Sequence, residues 1–244
     1  MPWPRDSRIS SAVDLGRLLI HSPLMIPGYS DAARLEQPTL PPIEQFGQID
    51  IYLFDQLLRG RIRPGMRIID AGCGGGRNLV YLLRMAAAEQ YEIFGADGAP
   101  QAIASTRRLA ATLAPGIPPE NFRVEAIEQM SFPDAFADFV ISSAVLHFAA
   151  SDDHFEAMLN GTWRVLKPGG LFFCRLASSI GIESQIRRIA GRRFWLPDGS
   201  ERYLVDEALL VDLNARLGAE MVDPLKTTVV QNQRSMSTWV LRKL

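Results

Sequence analysis

From Met66 onward the chain alternates between two hydrophobic patterns. Short apolar or β-branched runs at residues 67–70, 92–97, 122–126, 138–142 and 171–176 have the length of buried strands. Between them, residues 78–90, 99–113 and 152–166 carry apolar side chains three and four positions apart, as one face of a helix does. Leu79, Leu82, Leu83 and Ala86 mark that face in the first of these segments; Phe155, Met158, Leu159, Thr162, Trp163 and Leu166 mark it in the third. The third opens on an Asp153/Glu156 capping-box spacing and stops at Lys167-Pro168-Gly169-Gly170, a turn signal. Strands separated by helices pair in parallel through right-handed crossovers. The pattern therefore predicts a doubly wound α/β sheet, with ligands bound beyond the carboxyl ends of its strands.

Outside this unit the pattern changes. Residues 1–42 hold seven of the sixteen prolines and read as a Pro-rich N-terminal arm with one short helix at 13–20. Residues 43–244 form the α/β domain, opening with a helix over 43–58 whose face is Phe46, Ile49, Leu53 and Leu57. After the fifth strand, residues 177–203 are long and weakly periodic, a candidate substrate or lid segment. Val205, Leu209, Leu213 and Leu217 mark a helix closed by Gly218, and residues 221–230 and 235–241 predict a terminal antiparallel hairpin.

The bulk numbers narrow the class without deciding it. At 244 residues, 47% hydrophobic and with net charge −1, the chain has no field that draws it to nucleic acid or an anionic membrane. Cys73 and Cys174 do not make a disulfide framework, and with three histidines they make a poor metal set, so no metal is expected. The N-terminus lacks a signal peptide's apolar core, and no apolar run approaches ~20 residues, so the expectation is a soluble cytoplasmic protein.

The chemistry concentrates where the first strand meets the first helix. A dinucleotide fingerprint G-x-G-x-x-G counted from Gly72 fails at Arg77, and counted from Gly74 it fails at Leu79. What fits is D-x-G-x-G-x-G, through Asp70, Gly72, Gly74 and Gly76. Asp70 at the strand end suits an amino group. Gly72 and Gly74 let bare backbone approach an amino-acid moiety, whose carboxylate meets N–H groups at a helix N-terminus. Asp97, at the tip of the second strand, suits a ribose diol, and Gly98 leaves room for a base beside it.

These residues, together with Ser131-Phe132-Pro133-Asp134-Ala135-Phe136-Ala137-Asp138-Phe139-Val140-Ile141-Ser142-Ser143-Ala144-Val145-Leu146-His147 and Trp163-Arg164-Val165-Leu166-Lys167-Pro168-Gly169-Gly170, resemble a class I S-adenosylmethionine-dependent methyltransferase over residues 66–176. The resemblance implies an α/β, Rossmann-like, doubly wound, mostly parallel seven-stranded sheet with a C-terminal antiparallel hairpin. Its implied cofactor is S-adenosylmethionine, with S-adenosylhomocysteine as product. Asp70, Gly72, Cys73, Gly74 and Arg77 then fall at the methionine end, and Asp97 and Gly98 at the ribose and adenine. Ala126, Ile127 and Glu128 fall beside the adenine, with Ala126 where the family usually has aspartate. Ser143 and Leu146 line the sulfonium end. His147 is the candidate catalytic residue, as a base or as a shaped wall. Gly76-Arg77-Asn78 and Thr238-Trp239-Val240-Leu241-Arg242-Lys243 are also similar to tellurite-resistance-type methyltransferases, which act on soft chalcogen species.

The expected function is methyl transfer to a nucleophile on a small molecule. The alternatives are an RNA or protein methyltransferase, or a non-catalytic S-adenosylmethionine-binding protein. Arg187, Arg188, Arg192 and Arg193 are the one basic cluster. They read as a solvated helix face or an anionic-substrate contact rather than a nucleic-acid site, and Phe194-Trp195 as packing or a lid. Oligomeric state and acceptor atom are left open.

Overall fold

The computed structural model describes residues 40–244; the helix expected at 13–20, His21 and all but the last three residues of the Pro-rich arm lie outside them. Its first elements are α1 (Pro42–Phe46) and α2 (Ile51–Leu58), where periodicity predicts one helix over 43–58. Gly47 turns the chain out at φ 63°, and Asp50 restarts it as an N-cap whose side chain accepts from the Tyr52 N–H at 3.0 Å. The expected alternation follows in β1 (Arg67–Ala71), α3 (Val80–Glu89), β2 (Glu92–Asp97), α4 (Pro100–Leu113), β3 (Phe122–Val124), β4 (Ala137–Ser143), α5 (Asp152–Val165) and β5 (Leu166–Ala177). Then come β6 (Arg187–Ala190), β7 (Arg193–Trp195), β8 (Glu201–Tyr203), α6 (Glu207–Arg216), β9 (Ala219–Met221), β10 (Lys226–Val230) and β11 (Arg234–Lys243).

The main sheet runs β10-β11-β5-β4-β1-β2-β3, with β9 pairing beside β10 on the same edge of β11 as an eighth strand. β1 pairs in parallel with both β2 and β4, so strand order reverses at β1, the switch point where such sheets open a crevice. Successive residues of the central strands enter opposite cores. Ile69, Val140, Phe172 and Trp239 pack with the α5 side chains Phe155 and Leu159, whereas Ile68, Phe139, Phe173 and Val240 pack with Leu82 of α3 and Ile103 of α4. All of these are buried, each contributing roughly 1.5–3 kcal/mol of transfer free energy. Among the described residues no helix is long and apolar enough to cross a membrane.

Four local expectations are corrected. The strand expected over 221–230 is split into β9 and β10; Pro224 between them has no N–H for a ladder, and neighbouring Asp223 turns in to a two-pronged pair with Arg61 at 2.6 and 2.9 Å. The α5 cap is Ser151, whose hydroxyl accepts from the His154 N–H at 3.1 Å, not the Asp153/Glu156 box. Lys167-Pro168-Gly169-Gly170 lies inside β5 as a bulge, since β4 pairs Ala137 with Leu166 and then Phe139 with Leu171. The segment 177–203 contains a separate antiparallel sheet, β6-β7-β8, so its arginines sit on strands and a turn rather than on a helix face. Two of them are paired, Arg192 with Asp206 at 2.9 Å and Arg193 with Glu201.

Candidate active site

The loop from β1 into α3 is bent by its glycines. Gly72, Gly74 and Gly76 stand at φ 85°, 54° and 84°, in the left-handed region. The N–H groups of Gly72 and Cys73 both donate to the Ala96 carbonyl, at 2.8 and 3.0 Å, which presses the loop against the end of β2. A Cβ on Gly72 would lie 2.3 Å from a Val145 methyl, so no side chain fits there. A Cβ on Gly74 would meet nothing within 4 Å: that backbone faces open space. Gly72→Ala combines a positive φ with a steric overlap, each costing ~1–3 kcal/mol. Denaturant unfolding should show a loss of about 3 kcal/mol; a loss below ~1 kcal/mol would mean the loop relaxes freely.

Beyond the ends of β1, β2 and β4 lies a cleft of about 460 Å³. Its lining includes Gly72, Cys73, Gly74, Arg77, Asp97, Gly98, Ile127 and Ser143 from the expected set, and Asn78, Ala144, Val145, Phe148 and Met158, which sequence reasoning missed. Asp97 links the two βα loops: its Oδ2 accepts from the Gly74 N–H and its Oδ1 from the Ala99 N–H, both at 2.9 Å. A carboxylate oxygen accepts twice, so each retains capacity for a ligand hydroxyl. The Cys73 thiol is buried, and burial pushes its pKa up, which makes it inert.

Asp70 is 1% exposed near the end of β1, behind the residues that line the cleft rather than among them, and neither of its carboxylate oxygens has a hydrogen-bond partner among the described residues. Burial pushes its pKa up to about 7, with Arg77 pulling it down and Asp97 adding to the rise. A buried carboxyl group with no partner is costly unless a donor or cation reaches it.

The remaining expected residues are less well gathered. Leu146 is fully buried in the core and does not line the cleft. It follows β4 in a 3-10 turn, Leu146–Phe148, that turns it inward and leaves Phe148 60% exposed. Ala126 is exposed just before the 3-10 turn Ile127–Gln129 and does not line the cleft; Glu128 lies 3.6 Å from His154 instead.

Behind Ser143 and Arg77 in the cleft wall lies a polar network with Asp50 at its centre. Asp50 is 5% exposed; its Oδ2 accepts from the Ser143 hydroxyl at 3.1 Å and from Arg175 Nη1 at 3.2 Å. Ser143 Oγ in turn accepts from Arg77 Nη2 at 3.0 Å. The sequence signal for Asp50 is a helix start, aspartate before Ile51-Tyr52-Leu53; that identifies a cap but not its pairing with Arg175 or its link through Ser143 to Arg77.

Beside the cleft, and sharing Ala144 and Phe148 with it, is a second cavity of about 330 Å³. His147 lines this cavity and not the first. Its Nδ1 accepts from the Ala177 N–H at 3.1 Å, and burial, with Arg202 and Arg175 nearby, pushes its pKa down to about 3. An imidazole so fixed is neutral and carries its proton on Nε2. With Nδ1 engaged, the ring offers Nε2–H to the second cavity, the geometry of a donor rather than of the expected base.

Comparison with known proteins agrees with this geometry. Residues 69–174 match a family model described as a methyltransferase domain. A ubiquinone biosynthesis O-methyltransferase of Cereibacter sphaeroides is 30% identical over 164 residues, 65% of this chain and 62% of that protein. The chain spans about half to just under two thirds of the length of the first curated relatives it matches, 47% and 62%. Among solved structures, an S-adenosylmethionine-dependent methyltransferase of Methanosarcina mazei superposes with TM-score 0.61 at 21% identity, covering 77% of this chain and 97% of that one. A 1,6-didemethyltoxoflavin-N1-methyltransferase of Burkholderia thailandensis, solved with 1,6-didemethyltoxoflavin and S-adenosylhomocysteine bound, superposes with TM-score 0.57 at 19% identity, covering 79% and 75%.

Proposed function

We propose that the chain carries a class I S-adenosylmethionine-dependent methyltransferase domain and transfers a methyl group to a nucleophilic atom of a small molecule in the cytoplasm. The observation that carries the reading is Asp70. Its partnerless buried carboxyl group lies next to a glycine loop whose Gly74 faces open space; an amino acid's ammonium answers the first, and its carbon chain lies against the bare backbone of the second, whose N–H groups at Gly72, Cys73 and Gly74 are already engaged. The residues present therefore fit S-adenosylmethionine. Asp70 and the backbone of 72–74 hold the methionine end, Asp97 the ribose hydroxyls, and Gly98 and Ile127 flank the base.

When bound, the cofactor supplies a methyl group already activated by its sulfonium. Held by Asp70, Asp97 and the glycine loop, it would serve as methyl donor to the acceptor's lone pair, with S-adenosylhomocysteine as the product. What the chain adds is alignment and exclusion of water, the larger part of such a displacement. Ala144 and Phe148 stand where the two cavities meet, so the acceptor enters from the second cavity. Residues 177–203 supply much of its far wall through Leu196, Asp198, Ser200 and Arg202. His147 orients as a neutral donor, so any proton the acceptor must lose goes to solvent or is lost before binding.

Calorimetry with S-adenosylhomocysteine, followed by methyl-label transfer from S-adenosylmethionine into a panel of oxygen, nitrogen, thiol and selenol acceptors, tests the reading. Binding followed by label in a small molecule is the expected result. Binding with label only in RNA or protein, or no label at all, would replace it with a macromolecular methyltransferase or a non-catalytic binder respectively.

A further inference from the structure

The second cavity has a charge pattern that cofactor binding does not explain. Three arginines line it, Arg175, Arg202 and Arg234, against one carboxylate, Asp198. Asp198 accepts at Oδ1 from the Ser200 N–H at 2.9 Å and from the Ser200 hydroxyl at 2.6 Å, and its single charge is shared between Arg202 and Arg234, which leaves one of the two unbalanced. Arg175 gives Nη1 to Asp50, but its Nε is buried with no hydrogen-bond partner among the described residues. The Arg202 guanidinium stands 4.8 Å over the Phe148 ring, which holds it at the junction with the cofactor cleft. His147, in the same wall, is fixed as a donor by its contact with Ala177. The rest of the lining is apolar, through Leu196 and Met236 among others. Guanidiniums that line one cavity repel each other, and an anion accepting their forked N–H groups relieves that repulsion.

We propose that this cavity takes an anionic methyl acceptor, a small molecule whose carboxylate or phosphate-type group is held by Arg202 and Arg234 with Arg175 behind them. The volume, about 330 Å³, lies in the ordinary range of small-ligand sites, roughly 300–1,000 Å³. The anion anchors the molecule's charged end on the arginines. Its nucleophilic atom then points past Ala144 and Phe148 into the cofactor cleft. This inference rests on the methyl-transfer reading for the acceptor's fate, but not for its binding.

The test is a calorimetric titration of the S-adenosylhomocysteine-loaded chain with three probes: benzoate, phenyl phosphate and the neutral benzamide. At least one anion should bind ten-fold or more tightly than benzamide, and whichever anion binds better identifies carboxylate or phosphate as the recognised group. Arg202→Gln and Arg234→Gln should each weaken that anion about ten-fold while leaving S-adenosylhomocysteine affinity within two-fold. Arg234 is exposed, so its substitution removes charge without opening the core. Equal affinity for benzamide, no affinity for either anion, or undiminished anion binding in both variants would overturn the proposal. If the chain binds no S-adenosylhomocysteine, the methyl-transfer reading fails, and the same titration of the ligand-free chain still decides whether the cavity selects anions.

Discussion

Asp70→Asn should weaken S-adenosylhomocysteine binding by about 100-fold and at the same time stabilise the ligand-free chain. Asparagine keeps the shape and one acceptor oxygen but loses the charge that an ammonium group seeks, a charge-assisted contact worth ~1.5–3 kcal/mol. The stabilisation has the opposite origin. An aspartate ordinarily ionises near 3.8, and burial raises this one to about 7. Between those values the folded chain keeps a proton that the unfolded chain has lost. Stability is therefore highest below about pH 4, falls as pH rises through about 7, and stays reduced above it, by on the order of a few kcal/mol. The asparagine variant lacks this limb, so its advantage should grow across that window and level off above it. Ligand affinity of the unaltered chain should rise through the same window as the carboxylate forms, and the variant's should not. Urea unfolding and calorimetry at pH 5, 7 and 8.5 measure both; a variant that binds within three-fold of the original at pH 8.5 would remove Asp70 from the cofactor site.

Asp97→Ala should cost still more affinity, about 100- to 1,000-fold. Two losses combine. The ribose hydroxyls lose a charged acceptor, and the N–H groups of Gly74 and Ala99 lose the oxygens that set the loops at both sides of the cleft. Each charge-assisted hydrogen bond is worth ~1.5–3 kcal/mol, and removing the side chain leaves those donors to water. A cycle with 2′-deoxy-S-adenosylhomocysteine separates the two. If Asp97 holds the diol, the unaltered chain should discriminate ten-fold or more against the deoxy ligand and the alanine variant hardly at all. Equal discrimination in both would reduce Asp97 to a loop clamp.

The cofactor half of the molecule was legible because its chemistry is local. Asp70, Gly72 and Gly74 lie within five residues, Asp97 ends the next strand, and both strand ends follow from short apolar runs stopped by glycine. The acceptor half was not, because its residues meet only through long-range pairing. Arg175 reaches Asp50, 125 positions away, and Arg234 arrives on the strand that crosses antiparallel beside β5. Leu146 was misplaced for a related reason. Position after a strand fixes the neighbourhood, but the 3-10 turn that follows decides which side chain faces in, and three residues carry no periodicity to reveal it. For His147 the sequence offered a titratable group near the chemistry. Only the Ala177 N–H, contributed by another strand, fixes which nitrogen has a free lone pair.

The Asp50 network has a further consequence for how this chain can diverge. Residues 69–174 contain the loop, Asp70, Asp97 and Ser143, but Asp50, which anchors Arg175, lies before them, and Arg175, Arg202 and Arg234 lie after. On the proposed reading, the donor cleft and the charged part of the acceptor cavity are thus written in separate stretches of sequence that meet at Ala144, His147 and Phe148. A lineage can rewrite residues 177–203 and the β10–β11 hairpin, exchanging one acceptor for another, while the methyl donor's cradle stands unaltered. Likeness confined to 69–174 therefore carries the donor from one protein to the next and leaves the acceptor to be read from the flanks.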